Sequence, residues 1–307
     1  VNLKFSVITP SFCQGRFIER TIQSVLSQKS SDIEIEYFIC DGGSTDETIE
    51  ILQHYDDYLR WISEPDNGQA DAVNKGIALT TGEIIAWINS DDIYYPGTFG
   101  VIKDIFASHP DIQIIYGDAD HIDEKDVFIE AYPTEPWNYQ RLIDICFLCQ
   151  PAVFFRRNLV DRYGNLDASL KYCMDYELWL RYGKHIPFYY LPRKLAGSRF
   201  YKDNKTLGQR IAVHYEINNM MHSKFRSVPD KWIFAYAHVK VEETLNLDRS
   251  NPIQNLKFVQ AVIYNSLWSF YHWKKIMTIT SSARMLWWII AANIFIIKNL
   301  SLVFKSL

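Results

Sequence analysis

Short β-rich runs and amphipathic stretches take turns along the first 120 residues, and this alternation limits the possible folds more than any other feature of the chain. Lys4-Phe5-Ser6-Val7-Ile8-Thr9 is ended by Pro10-Ser11, after which Phe17, Ile18, Ile22, Val25 and Leu26 recur at helical spacing. The unit repeats. Ile35 to Cys40 ends at Asp41-Gly42-Gly43, and Ser44-Thr45-Asp46-Glu47 reads as a capping box for a helix carrying Ile49, Ile51 and Leu52. Leu59 to Ser63 reads as a strand, Ala70 to Leu79 as a helix, and Glu83 to Ile88 as a buried strand closing at Asn89-Ser90-Asp91-Asp92. Helix 97–108 and strand 112–116 follow. Strands joined through helices predict an α/β, Rossmann-like fold: a mostly parallel sheet with helices on both faces.

In such a sheet ligands bind beyond the carboxyl ends of the strands. Three acidic sites fall there in this reading: Asp41, the pair Asp91 and Asp92, and Asp118 with Asp120. Each is also compatible with an ordinary cap or turn. No G-x-G-x-x-G follows the first strand and no G-x-x-x-x-G-K-[ST] occurs anywhere, so neither a dinucleotide fingerprint nor a P-loop is present. A phosphorylated ligand can still be held through a divalent cation, because Mg²⁺ takes one or two carboxylates and leaves its other positions to water and phosphate oxygens.

Seven ordered motifs over about residues 3–210 resemble the family 2 glycosyltransferases. They are Ser6 to Ser11, Cys40 to Asp46, Asn67 to Gly76, Thr81-Gly82-Glu83, Asn89-Ser90-Asp91-Asp92, Gln150 to Arg156 and Met174 to Arg181. The resemblance implies a GT-A fold, a nucleotide-diphosphate-sugar donor, Mg²⁺ or Mn²⁺, and inversion at the anomeric carbon without a covalent enzyme intermediate. Carried over residue by residue, it puts Thr9, Pro10 and Asp41 on the nucleoside, Asp71 and Lys75 on the nucleotide side, Asp91 near the ribose or metal, Asp92 on the metal, and Asp175 as catalytic base. Glu177 is placed to position Asp175 or the acceptor. The chain departs from the family pattern twice. Asn89 stands where many relatives have the first Asp of a D-x-D, and Tyr201 stands where relatives often have a histidine; Arg199, Lys202 or Lys205 can compensate by binding diphosphate.

From 120 to 206 strand candidates lie at 126–132, 151–155 and 186–191, with a helix from Asp175 to Tyr182. Helices are expected at 206–222, 231–247, 255–273 and 283–305. The expected organisation is a GT-A domain over 1–222, divided into a nucleotide-sugar half (1–120) and an acceptor half (121–222), and a helical C-terminal region over 223–307. Charge separates the two ends. Residues 1–200 carry 18 Lys and Arg against 30 Asp and Glu, whereas 201–307 carry 14 against 6. Five scattered cysteines argue for reduced thiols and a cytoplasmic location, with Cys146 and Cys149 read as buried. Val1 to Lys4 is read as opening directly into a strand, with no room for a signal peptide.

Met285 to Ile297 is an apolar run interrupted only by Asn293. A span needs about 20 apolar residues. Trp268, Trp273, Trp287 and Trp288 accompany Lys274, Lys275, Arg284, Lys298 and Lys305, and no acid follows Asp248. That pattern suits an anionic membrane surface; packing on the catalytic domain or a second copy, and a true span, stay open. Nucleic acid is not expected, since the aromatics sit among aliphatics at helical spacing. Taken together, the expectation is an inverting, metal-dependent glycosyltransferase peripheral to the inner face of the cell membrane. It would serve a glycan or lipid-linked acceptor in surface polysaccharide synthesis. A sugar-phosphate nucleotidyltransferase and a non-catalytic nucleotide-sugar-binding module are the alternatives.

Overall fold

The computed structural model describes residues 3–202 and 204–305, the side chains of 300–305 excepted. The expectation for Val1 and Asn2 lies outside the described residues. Two compact units divide at Leu207/Gly208.

The first unit begins with the expected alternation: β1 (Leu3–Ser11), α1 (Gly15–Leu26), β2 (Ile33–Asp41), α2 (Thr48–His54), β3 (Arg60–Ser63), α3 (Gln69–Ala78) and β4 (Ile84–Trp87). It continues through β5 (Ile93–Tyr94), α4 (Thr98–Ser108), β6 (Ile114–Ile122), β7 (Phe128–Ala131), α5 (Tyr139–Asp144), β8 (Val153–Arg156), α6 (Asn158–Tyr163), α7 (Met174–Gly183) and β9 (Tyr189–Arg199). The sheet order is β3-β2-β1-β4-β8-β6-β9-β5, with β7 paired to β6. Its first four strands are all parallel, as crossover helices require, and β6 runs parallel to β9. Strand β8 pairs antiparallel with both β4 and β6.

Register puts the functional strand ends side by side. Ser11 lies opposite Asp41, and Ile8 opposite Trp87, so β1, β2 and β4 finish at one rim. The central strands are buried on both faces, so they read as continuous apolar runs rather than alternating ones. Phe5 packs on Phe99 at 4.8 Å between ring centroids, and Phe99 on Phe154 at 5.6 Å, which locks α4 and β8 to β1. Each such ring buried contributes about 2 to 3 kcal/mol. Gly82 is required where the chain enters β4, because a Cβ there would stand 2.6 Å from the Ser6 nitrogen of β1.

The structure corrects three readings. Ser44 to Glu47 do not form a capping box: α2 starts at Thr48, the Ser44 hydroxyl donates to Asp41, and Asp46 accepts from the Thr48 and Gly15 amides. Asp118 and Asp120 do not follow a strand end, because β6 runs on to Ile122. There Asp118 accepts from the Tyr190 hydroxyl, while Asp120 accepts from Tyr95 and pairs with Lys194 at 2.8 Å. The strand expected at 186–191 begins at Tyr189 and extends to Arg199.

Helix α8 (Lys205–Gly208) is followed in the second unit by α9 (Arg210–Met220), α10 (Asp230–Thr244), α11 (Pro252–Trp273) and α12 (Ile279–Lys305). Ala237, Val241, Phe258 and Val262 form its core, with Trp288 packed against them. Asp230 opens α10 and pins the turn between α11 and α12, accepting from Lys274, Thr278 and Ser281.

Candidate active site

The carboxyl rim of β1, β2 and β4 gathers most of the residues singled out in the sequence. Asp41 is buried, and its carboxylate accepts from the Gly43 and Ser44 amides at 3.0 and 2.8 Å, from the Ser44 hydroxyl, and from Ser63 Oγ at 2.7 Å. These four donors fix the loop after β2, with Gly43 at a φ of +88° that favours glycine. Thr9 lies beneath, its hydroxyl 3.1 Å from Tyr37 Oη, and Pro10 stands opposite Cys40. Phe12 follows β1, 62% exposed beside Gly42. Sequence reasoning passed over it, although an apolar residue directly after a strand end and outside the helical period was a visible signal. On α3, Lys75 pairs with Glu64 at 3.0 Å and Asp71 at 3.6 Å, while Asp71 accepts from the Asn67 amide.

Asp91 and Asp92 lie between β4 and β5. Asp92 is 3% exposed; Oδ1 accepts from the Arg199 amide at 2.8 Å and Oδ2 from Asn89 Nδ2 at 3.2 Å. Burial, with the Asp91 charge adding to it, pushes the Asp92 carboxyl up to about 8. Burial raises Asp91 as well, against the opposing effect of a 3.0 Å hydrogen bond from the Tyr201 hydroxyl. Tyr201 therefore sits on the acidic pair as a donor, a partnership that a search for metal-binding residue types could not find.

A directed row of hydrogen bonds reaches Asp92 from the side. Lys205 Nζ donates to Gln69 Oε1 at 3.3 Å, Gln69 Nε2 to Asn89 Oδ1 at 2.6 Å, and Asn89 Nδ2 to Asp92. The Trp87 indole also donates to Asn89 Oδ1, at 3.1 Å. Arg199 is bound inward rather than presented to a ligand: Nε donates to the Asp91 carbonyl, Nη1 to the Asp123 carbonyl, and Nη2 pairs with Asp126 at 2.5 Å, with the guanidinium over the Phe17 ring. Its structural job is to hold the segment that carries Asp91 and Asp92.

Asp175 occupies the first turn of α7, which Tyr176 anchors by donating to the Leu142 and Ile143 carbonyls. Glu177 is buried and pairs with Arg181 at 2.8 Å, and Arg181 in turn donates to the carbonyls of Gly164 and Asn165. Cys149 lies behind this region: burial drives its thiol well up, and the charges of Asp92 and Asp175 add to the shift. Next to it, Gln150 donates to the Trp87 carbonyl at the end of β4 while its own Oε1, inside the protein, has no hydrogen-bond partner. Of the C-x-x-C pair, Cys149 is buried and Cys146 half-buried, and both are free thiols.

Two adjacent carboxylates, one half-buried and one buried, with raised proton affinity fit a divalent cation, which removes the repulsion between them. Among the described residues no group of three or more His, Cys, Asp and Glu is arranged to hold a metal. Asp91 and Asp92 are the residues here that could hold such a cation, with its remaining positions left to water and phosphate oxygens.

A sheet that is parallel through β3-β2-β1-β4 and mixed beyond, with acidic residues at the rim, is a GT-A-type fold. The family model described as Glycosyl transferase family 2 matches residues 6–164, more than half of the chain, and the chain belongs to that family. An uncharacterized glycosyltransferase of Rickettsia conorii is 29% identical over 235 residues, covering 72% of this chain and 37% of that protein. Chondroitin synthase of Escherichia coli is 25% identical over 214 residues, covering 69% of this chain and 31% of the synthase. The chain thus spans about a third of the length of these two relatives. Among solved structures, S. aureus TarS 1-349 in complex with UDP-GlcNAc gives a TM-score of 0.57 at 16% identity over 85% of this chain and 82% of that one. The mannosyltransferase PcManGT of Pyrobaculum calidifontis, in complex with GDP-Man and Mn²⁺, gives 0.58 at 15% identity over 98% and 88%.

Proposed function

We propose that this chain moves a sugar from a nucleotide-diphosphate-sugar to a hydroxyl of a glycan or lipid-linked acceptor, with inversion, at the cytoplasmic face of a membrane. Surface polysaccharide synthesis is the process that such an acceptor fits. The observation that carries the reading is the pair of half-buried Asp91 and buried Asp92 at the rim, with Asp92 joined to Lys205 through Asn89 and Gln69. The nucleotide-sugars bound by TarS and by the mannosyltransferase support a donor of that class.

In this reading Thr9, Pro10 and Asp41 form the floor on the nucleoside side, and Asp71 with Lys75 the flank. Asp91 and Asp92 would hold Mg²⁺ or Mn²⁺, which would supply Lewis-acid chemistry to the diphosphate. Lys205 adds a point charge on the phosphate side. Asp175 takes the proton from the attacking acceptor hydroxyl, helped by the α7 N-terminus, which favours the ionised carboxylate. One base and one displacement suffice for inversion.

The test is thermal stability of the full chain titrated with Mn²⁺ and a panel of UDP- and GDP-sugars, with donor hydrolysis followed in parallel. A cognate donor at about 100 times its Kd is expected to add about 2.7 kcal/mol, only with the metal present. Stabilisation by none of the donors would overturn the proposal, and pyrophosphate release from a nucleoside triphosphate would put a nucleotidyltransferase in its place.

A further inference from the structure

Helices α11 and α12 are each apolar on two opposite sides. On α11, Phe258, Val262, Ser266, Ser269, Phe270 and Trp273 face the unit's interior. The opposite face carries Tyr264, Leu267, Trp268 and Tyr271, spaced three, one and three residues apart and between 42% and 81% exposed. On α12 the inward seam is Ser281, Met285 and Ala292, with Trp288 half-buried. Its opposite face presents Ile279, Leu286, Trp287, Ile290, Ile294 and Ile297, all exposed. From Ile279 to Ile297 this face runs about 27 Å along the helix without a charged side chain on it. A patch of that kind marks an interaction surface. Not every tryptophan noted in the sequence belongs to it: Trp273 is 3% exposed, and Trp288 packs on the Ala237–Val262 core.

Charge selects the occupant. Beyond Asp248 the chain has seven Lys and Arg and no acid. Lys257 is exposed on the Tyr264 face of α11, Lys275 and Ile276 are exposed in the turn between the helices, and Arg284 and Lys298 flank the apolar face of α12. Exposed aliphatic residues with Trp and Tyr among them and cations beside them match a bilayer surface rich in anionic lipid. The 21 residues Ile279–Asn299 are long enough to cross a bilayer. Crossing, however, would place Arg284 and Asn293 in hydrocarbon and strip Trp288 from its core.

We infer that the outward faces of α11 and α12 form a monotopic docking surface for anionic phospholipid, with both helices lying in the interface plane. The inference deepens the membrane placement proposed above and rests on it. It supplies what a lipid-linked acceptor requires, a catalytic unit tethered where that acceptor resides.

The experiment is flotation of the full chain with vesicles of phosphatidylcholine alone and with phosphatidylglycerol added, at low and high salt. Binding is expected only with phosphatidylglycerol, and is expected to weaken as salt rises. Leu286→Ser, Ile290→Ser and Ile294→Ser together should lower vesicle affinity about a hundredfold. Lys257→Glu with Lys275→Glu should lower it about tenfold or more. All of these changes are on exposed positions, so thermal stability should hold. Equal binding to neutral vesicles, or none to anionic ones, would overturn the inference. Retention in cell membranes after alkaline carbonate washing would replace it with a span, and loss of self-association in the triple variant without any vesicle binding would replace it with a contact between copies. No donor or acceptor enters the assay, so its failure leaves the transferase reading untouched, and donor-induced stabilisation of the same variants tests that reading separately.

Discussion

Asp92→Asn probes the acidic pair most directly, because it replaces the carboxyl with a neutral group of the same shape. The Asp92 carboxyl, raised from 3.8 to about 8, binds a proton more tightly in the native than in the unfolded chain. Its contribution to stability is therefore present below about pH 4 and is lost as pH rises through about 8. The full rise corresponds to roughly 5 to 6 kcal/mol at 1.36 kcal/mol per pH unit. Asp91 titrates with it, which leaves Asp92 alone on the order of 3 kcal/mol. Asparagine removes this loss and keeps the acceptor for the Arg199 amide, but its own NH₂ then meets Asn89 Nδ2, at a cost of about 1 to 2 kcal/mol. The metal-free variant should thus be more stable than the parent above pH 8 by about 1 to 2 kcal/mol, or about 2 to 3 °C in melting temperature for a chain of this size. Below pH 6 it should be equal or weaker. Scanning fluorimetry from pH 5 to 9, without metal and then with Mn²⁺, reads both effects, and the Mn²⁺ shift should vanish in the variant. Parallel pH curves for the two proteins, or a Mn²⁺ shift that survives the substitution, would refute the reasoning.

Asp175→Asn should lower the rate of transfer by about 10²- to 10⁴-fold with donor-induced stabilisation intact, measured by product formation and by fluorimetry on one preparation. Arg199→Met should cost about 2 kcal/mol in urea unfolding, because it leaves the Asp91 carbonyl without its donor and removes one of the two arginines that pair with Asp126. The same substitution should weaken Mn²⁺ binding, since the segment holding Asp91 loses its tie.

The parallel half of the sheet was legible because each buried strand is an apolar run cut off by polar turn residues, and because helical spacing follows at once. Less regular elements were not. Strand β5 is the two residues Ile93 and Tyr94, too short for any period. Strand β9 contains Pro192-Arg193-Lys194, whose exposed side chains break the alternation a strand would show. Asp118 and Asp120 looked like a strand end because Gly117-Asp118 resembles turn chemistry; β6 absorbs it through register irregularities at Gly117/Asp118 and Asp118/Ala119. At the site, the acidic positions could be read from their place after strands. Their partners could not, since Tyr201 and Asp91, or Lys205 and Gln69, are 110 and 136 residues apart in sequence.

The indole of Trp87 acts as a polarity key for its neighbour. By donating to the oxygen of the Asn89 amide, as Gln69 also does, it forbids that amide to turn around, so an N–H always points at Asp92. One approach to the carboxylate is closed, and the cation proposed above would have to come from another side. An aspartate at position 89 would lack this handedness and would add a third negative charge beside two that burial already makes hard to accommodate.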